Sequence, residues 1–350
     1  MKKTKMGLTQ DLGADFWNDS CSLTELSEAV AQGAVGATSN PVIVLNAVSG
    51  DPGTWLPAID RLVAAHPSDT EDELAWKLIA ELGGRAAKLL EPVHAATKGG
   101  KGFLCVQVSP KFYRSPALMI EQARSLAKIA PNVAIKIPAT EAGLAAMEET
   151  VAAGVNVNAT VSFSVAQAVA VAEAYERGMK RAEHSKRGLS QLHPYVTIMV
   201  GRVDDMLKRA KDKRAVDAAA ESLAWAGIAV FKRAHQIFRE RRFRCTLLAA
   251  AYRHEGHWSQ LIGDDVILSM PYKWWKQFNE SPTVPTRSIG KAVDPAILRE
   301  LAKFDEFRQA YEPGALKPSE FVRFDASAST LNEFLEGYQK LLGLVRARML

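Results

Sequence analysis

The chain has 350 residues, 47% of them hydrophobic and 24% charged. That balance is ordinary for a globular protein and leaves room for one large α/β domain or two medium ones. The formal net charge of +5 is mild, the basic residues are dispersed, and no basic–aromatic stripe occurs, so the charge suits small anions better than a polynucleotide.

Three cysteines, Cys21, Cys105 and Cys245, lie far apart without a CxxC pair, which points to a reduced compartment and to neither a disulfide framework nor a zinc site. Residues 1–10 are polar and lysine-bearing, without the apolar stretch of a signal peptide. No apolar run is long enough to span a bilayer. A cytoplasmic protein with no nucleic-acid or membrane partner is expected.

After this lead, strand and helix signals alternate. Short apolar or β-branched runs fall at 14–18, 35–39, 103–108, 133–137, 155–161, 195–200, 245–250 and 266–270. Between them lie alanine-rich amphipathic segments, among them 23–32, 116–129, 143–153, 165–177 and 216–239. Strands separated by helices predict parallel βαβ units with right-handed crossovers. Eight such units favour an α/β fold of the (β/α)8 TIM-barrel type over an open sheet. No GxGxxG follows the first strand and no GxxxxGK[ST] occurs, so the usual nucleotide signatures are missing.

A helical insertion is expected after the second strand, over 54–97. Past the eighth strand, 281–289 is polar and proline-bearing and reads as a linker. Helices over 295–311 and 327–348 then follow, separated by a loop at 312–315. The expectation is one domain over 1–350, with a barrel core at about 14–281 and a C-terminal helical extension, 290–350, packed on it. Tyr272, Trp274 and Trp275 are expected to pack under those last helices.

Within the fourth run, Val133-Ala134-Ile135-Lys136-Ile137-Pro138, a lysine interrupts an otherwise buried strand. Burying an ammonium costs on the order of several kcal/mol unless it is paired or sheds its proton. A neutral amine in an apolar slot attacks carbonyls and forms a Schiff base. Other polar residues gather at strand ends, where barrel enzymes keep their chemistry. They are Asp19 after the first strand, Thr38-Ser39-Asn40 at the second, Gln107 and Ser109 at the third, and Lys136 and Thr140 at the fourth. Asn158, Thr160 and Ser162 alternate along the fifth and are expected to share one face, while Arg202 and Arg253 end the sixth and seventh.

The segments Gly36-Ala37-Thr38-Ser39-Asn40-Pro41, Val133 through Thr140, Asn158-Ala159-Thr160-Val161-Ser162-Phe163-Ser164 and Val200-Gly201-Arg202-Val203-Asp204 resemble the transaldolase family, in the family's order. The resemblance runs from about Asp15 to the end of the eighth strand and, less specifically, into the last helices. It implies that Lys136 is the Schiff-base lysine and that Asp19 handles the C4 hydroxyl proton during cleavage. Asn40 and Asn158 would bind the dihydroxyacetone unit, and Thr160 would help position a catalytic water. Arg202 and Arg253 would hold a substrate phosphate, a task for which the guanidinium fork is suited. The reaction implied is transfer of dihydroxyacetone from sedoheptulose 7-phosphate to glyceraldehyde 3-phosphate, giving erythrose 4-phosphate and fructose 6-phosphate in the pentose phosphate pathway. No metal or cofactor is implied, and the oligomeric state is open, a homodimer included.

The chain also departs from that pattern. Gln107 stands where transaldolases place a catalytic glutamate, as it does in the related fructose-6-phosphate aldolases; a glutamine orients water but cannot take its proton. Thr197-Ile198-Met199 replaces serine-proline-phenylalanine, which puts Thr197 among the substrate-binding candidates, and Ala251 replaces a serine near Arg253. Aldol cleavage releasing free dihydroxyacetone is therefore an alternative, and a sugar-phosphate-binding barrel without catalysis is another. Asn40-Pro41 also reads as a helix start, Asp19 as a cap, and the arginines as partners of Asp204 or Asp205. His254 and His257 share an i,i+3 spacing without an HExxH motif or a third ligand in view.

Overall fold

The computed structural model describes residues 3–185, 189–190, 192–216 and 218–350. Eight parallel strands close into a barrel in sequence order, the last pairing with the first. They are β1 Asp15–Asn18, β2 Gly36–Thr38, β3 Phe103–Gln107, β4 Val133–Pro138, β5 Val157–Thr160, β6 Tyr195–Met199, β7 Thr246–Ala250 and β8 Val266–Met270. Each lies within a residue or two of its expected run.

Helix α1, Lys5–Asp11, precedes β1, and α2, Leu23–Ala31, follows it. The insertion after β2 consists of α3 Pro41–Gly50, α4 Pro52–Ala65 and α5 Glu71–Ala96. Helices α6 Pro116–Leu126, α7 Glu141–Ala152 and α8 Val165–His184 follow β3, β4 and β5. Strand β6 runs straight into α9, Val200–Arg214, succeeded by α10 Ala220–Leu223 and α11 Ala226–Arg241. Helices α12 Gly256–Ser259 and α13 Tyr272–Glu280 follow β7 and β8, before α14 Pro295–Leu301, α15 Asp305–Tyr311 and α16 Asp325–Met349.

Three expectations change. The helix expected over 216–239 is two, because α11 starts afresh where Gly227 presses on Val200 and donates its N–H to Asp204 at 2.9 Å. The helix expected over 295–311 breaks at Phe304, whose extended backbone delivers a fully buried ring. Trp275 does not pack under the last helices: its ring meets Phe16 and Tyr272, and its Nε1 donates to Asn18 at 3.0 Å. No helix among the described residues is long and apolar enough to cross a membrane.

Strand side chains alternate between two apolar regions, as the period of two requires. Phe16, Leu104, Val106, Ile135, Ile137, Val196 and Leu268 join the large core between sheet and helices. Trp17, Phe103, Cys105, Ala134, Tyr195, Leu248 and Ile267 form a smaller cluster inside the barrel. Gly36 is required there, since a Cβ would stand 2.3 Å from the Trp17 indole. Trp17 meets Tyr195 edge-on, with centroids 5.0 Å apart. These rings fill the barrel floor and leave its upper level to polar residues.

Helix α16 crosses the C-terminal face of the barrel. Near its start, Ser327 accepts from Gln167 Nε2 at 3.2 Å. Farther along, Gly337 lies against Val42 of α3, and Tyr338 donates to Asp72 of α5 at 2.7 Å. Leu331, Phe334, Tyr338, Leu341 and Val345 bury the face it turns inward.

Candidate active site

Parallel register sets Gln107, Lys136 and Asn158 at one level on adjacent strands, Gln107 opposite Lys136 and Lys136 opposite Asn158. Lys136 is 5% exposed, and its Nζ donates to the carbonyl oxygen of Ser39 at 3.0 Å. The Lys136 nitrogen is thus bonded to a carbonyl, not locked to a carboxylate among the described residues. Burial pulls its pKa below the ordinary lysine value, with the charge of Asp19 opposing. Burial likewise pushes Asp19 above the ordinary carboxylate range, against the attraction of Lys136, a hydrogen bond from Thr38 and the charge of Arg202. Both shifts favour the uncharged forms, a pattern common at catalytic sites.

Asp19 follows β1 and is half-buried. Its Oδ1 accepts from Thr38 Oγ1 at 2.5 Å, and Thr38 Oγ1 is 2.9 Å from Ser269 Oγ. With the Thr38 proton directed at the carboxylate, Ser269 is the donor of the second bond. Asp19 also borders a cavity of about 540 Å³ between the β1–α2 loop, α3 and α13. Ser269 was missed in the sequence, although it interrupts the apolar β8 as Lys136 interrupts β4.

Asn158 is oriented from both sides, its Oδ1 accepting from Thr197 Oγ1 at 2.8 Å and its Nδ2 facing Cys105 Sγ at 3.4 Å. Burial pushes the Cys105 thiol up to about 11, so it stays protonated. Gln107 Oε1, Thr160 Oγ1 and Ser162 Oγ are buried and find no partner among the described residues, an unfavourable state unless a ligand or water satisfies them. Asn40 caps α3, its Oδ1 accepting from Ile43 N–H at 2.9 Å, with Pro41 in the first turn.

Two expectations about placement are corrected. Strand β5 ends at Thr160 because Val161 adopts φ +53°, so Ser162 does not continue the alternation of Asn158 and Thr160. A left-handed β-branched residue costs roughly 1–2 kcal/mol. Ala251, with φ +64°, makes the corresponding bend after β7. Arg202 does not end β6 but lies in the first turn of α9.

Arg253 does follow β7. Gly201 draws the two arginines together, since a Cβ there would stand 2.7 Å from Arg253 Cγ and 2.0 Å from the Ala251 carbonyl oxygen. Arg253 pairs with Asp205, Nε at 3.0 Å and Nη2 at 2.8 Å, and its Nη1 donates to Tyr252 O at 3.0 Å. Arg202 pairs with Glu333 of α16, a partner that sequence reasoning missed because nothing local marks where a C-terminal helix will land.

His254 and His257 meet Asp204, whose Oδ2 lies 3.1 and 2.9 Å from their Nε2 atoms, so the third group not visible in sequence exists. Yet each Nδ1 accepts a backbone N–H at 3.1 Å, from Gly256 and Arg253 respectively. The neutral rings therefore carry their protons on Nε2, directed at Asp204. A metal on Nε2 would want the other nitrogen to donate, so these residues fit a structural hydrogen-bond network. The network holds the backbone of Arg253.

Residues 16–340 match the family model described as transaldolase/fructose-6-phosphate aldolase. The chain is 32% identical over 240 residues to transaldolase 2 of Streptomyces coelicolor, covering 66% of this chain and 63% of that protein. It is 32% identical over 255 residues to transaldolase 1 of Streptomyces avermitilis (70% and 67%). With a transaldolase of Thermobifida fusca it shares 33% identity over 243 residues (66% and 64%). The alignments thus span about two thirds of these relatives' lengths, 63% in the first. On the match over nearly its whole length, and on a closed barrel whose fourth strand carries the buried lysine, the chain belongs to the transaldolase/fructose-6-phosphate aldolase family.

Proposed function

We propose that the protein transfers a dihydroxyacetone unit between phosphorylated sugars through a Schiff base on Lys136, the observation carrying this reading being a buried amine bonded, among the described residues, to a backbone carbonyl and to no carboxylate, near the half-buried Asp19. The neutral amine attacks the ketose C2 carbonyl, water leaves, and the proton that burial favours on Asp19 passes to the imine, giving an iminium and a free carboxylate. The Asp19 carboxylate accepts the C4 hydroxyl proton as the C3–C4 bond breaks, releasing an aldehyde and leaving an enamine. Attack of the enamine carbon on an acceptor aldehyde reverses these steps, and hydrolysis frees the product. Thr38 and Ser269 keep the carboxylate aimed, an effect of positioning.

In this reading Asn158, aligned by Thr197, and the amide NH2 of Asn40 bind the dihydroxyacetone hydroxyls. Gln107 and Thr160, whose oxygens find no partner among the described residues, hold the water of imine formation and hydrolysis. Arg202 and Arg253 receive the phosphate. Barrel and C-terminal helices act as one domain, because α16 roofs the site, and a cytoplasmic pentose phosphate role suits the substrates.

One observation favours the second reading, aldol cleavage releasing free dihydroxyacetone. Gln107 cannot take a proton, so its water must lose one to another group. Turnover of fructose 6-phosphate with and without erythrose 4-phosphate separates the two. Transfer predicts consumption that depends on the acceptor; release of dihydroxyacetone at a comparable rate without acceptor would replace it with the aldolase.

A further inference from the structure

The two arginines near the mouth are already neutralised. Arg202 presents its outer edge to Glu333, with Nη1 2.6 Å from Oε2 and Nη2 2.8 Å from Oε1, a bidentate pair. Arg253 is held by Asp205 and by backbone carbonyls. Two guanidinium charges therefore face two carboxylates, and the quartet has no net charge with which to attract an anion.

The four groups are not equally fixed. Asp205 lies on α9 beside the buried Asp204 network. Glu333 comes from another element, and its side chain is 40% exposed. An ion pair this exposed is worth roughly 0–1 kcal/mol, so its carboxylate can turn into solvent while Leu331 and Phe334 keep α16 seated. Among the described residues Arg202 Nε is buried without a partner, as is the Oγ1 of Thr330, one turn before Glu333 on the same helix face. An anion displacing Glu333 would meet the outer edge of Arg202.

We propose that Glu333 occupies the place of the substrate's phosphate and so sets how strongly the enzyme prefers phosphorylated over unphosphorylated ketoses. The inference rests on the function proposed above and adds to it a competing internal anion. A ketose without phosphate leaves the Arg202–Glu333 pair intact; a phosphorylated one must break it and then lie near a displaced carboxylate.

Glu333→Gln removes the competing charge at nearly constant shape. The ratio of kcat/KM for fructose 6-phosphate to that for fructose is expected to rise about tenfold, through a lower KM for the phosphorylated sugar. Inorganic phosphate should become a tighter competitive inhibitor. An unchanged or lower ratio would show that Glu333 merely holds Arg202 in position, and would overturn the proposal. Glu333→Asp, which retracts the carboxylate by one methylene, should give an intermediate ratio and serves if the glutamine variant does not fold. If the unaltered protein turns over neither sugar, the functional reading fails on its own. Thermal shifts with inorganic phosphate still decide the role of Glu333: tighter binding by the variant supports it, and equal, weaker or undetectable binding overturns it.

Discussion

Burial disfavours the charged forms of Lys136 and Asp19, and the signs of their shifts give a stability profile. Asp19 binds its proton more tightly folded than unfolded, so its contribution to stability falls as pH rises from the ordinary carboxylate value through its raised one. Lys136 holds its proton less tightly folded than unfolded. Its penalty is complete below the lowered folded pKa and is relieved as pH rises toward the ordinary lysine value. Each penalty stands wherever its group is charged in the folded protein. The variant Asp19→Asn/Lys136→Met should therefore exceed the unaltered protein in stability by roughly 1–2 kcal/mol near neutral pH, in keeping with the cost of functional sites, and the margin should shrink toward both extremes. Urea unfolding across a pH series measures this. A double variant less stable at every pH would mean that the pair is a stabilising ion pair, and the reading of a neutral amine would lose its basis.

At the scale of elements, α16 roofs the barrel face by close approach to α3. Gly337 permits this, because a Cβ there would lie 2.8 Å from Val42 Cγ2 and 3.3 Å from Val42 backbone atoms. Gly337→Ala gains helix propensity of about 1 kcal/mol but must push the two helices apart, at a typical cost of 1–3 kcal/mol. The expected outcome is a lower melting temperature together with a higher KM for ketoses, since Asn40 caps α3. A higher melting temperature would show that α16 sits more loosely than this packing requires. The strands and most helices were readable in sequence because their periodicity is local. Where α16 lands was not, since it depends on contacts such as Tyr338 with Asp72 and Gln167 with Ser327, 266 and 160 residues apart in the chain. For the same reason Glu333 escaped notice while Asp205, in the helix carrying Arg202, did not. The bend at Val161 was equally hidden: valine ordinarily argues for a continuing strand, and only the folded context pays its strain.

For the whole molecule, closure of eight strands in sequence order turns scattered polar residues into one constellation. Trp17, Phe103 and Tyr195 exclude water from the floor, and the dry interior that results is what lowers the Lys136 pKa. The fold was legible from alternation alone, and Lys136 from its cost within an apolar run. Ser39 as the partner of the amine was not, because a backbone carbonyl carries no signature in sequence. Nor was Asp204 as the partner of both histidines, since they lie about fifty residues apart, on separate barrel units, until the barrel brings them together.

Borohydride added to the protein with fructose 6-phosphate, followed by peptide mass mapping, tests the covalent chemistry most directly. The account predicts a reduced dihydroxyacetone unit on the peptide containing Lys136, and no such adduct in Lys136→Ala. A protein that binds and turns over the sugar yet carries no adduct at Lys136, or carries it on another lysine, would contradict it.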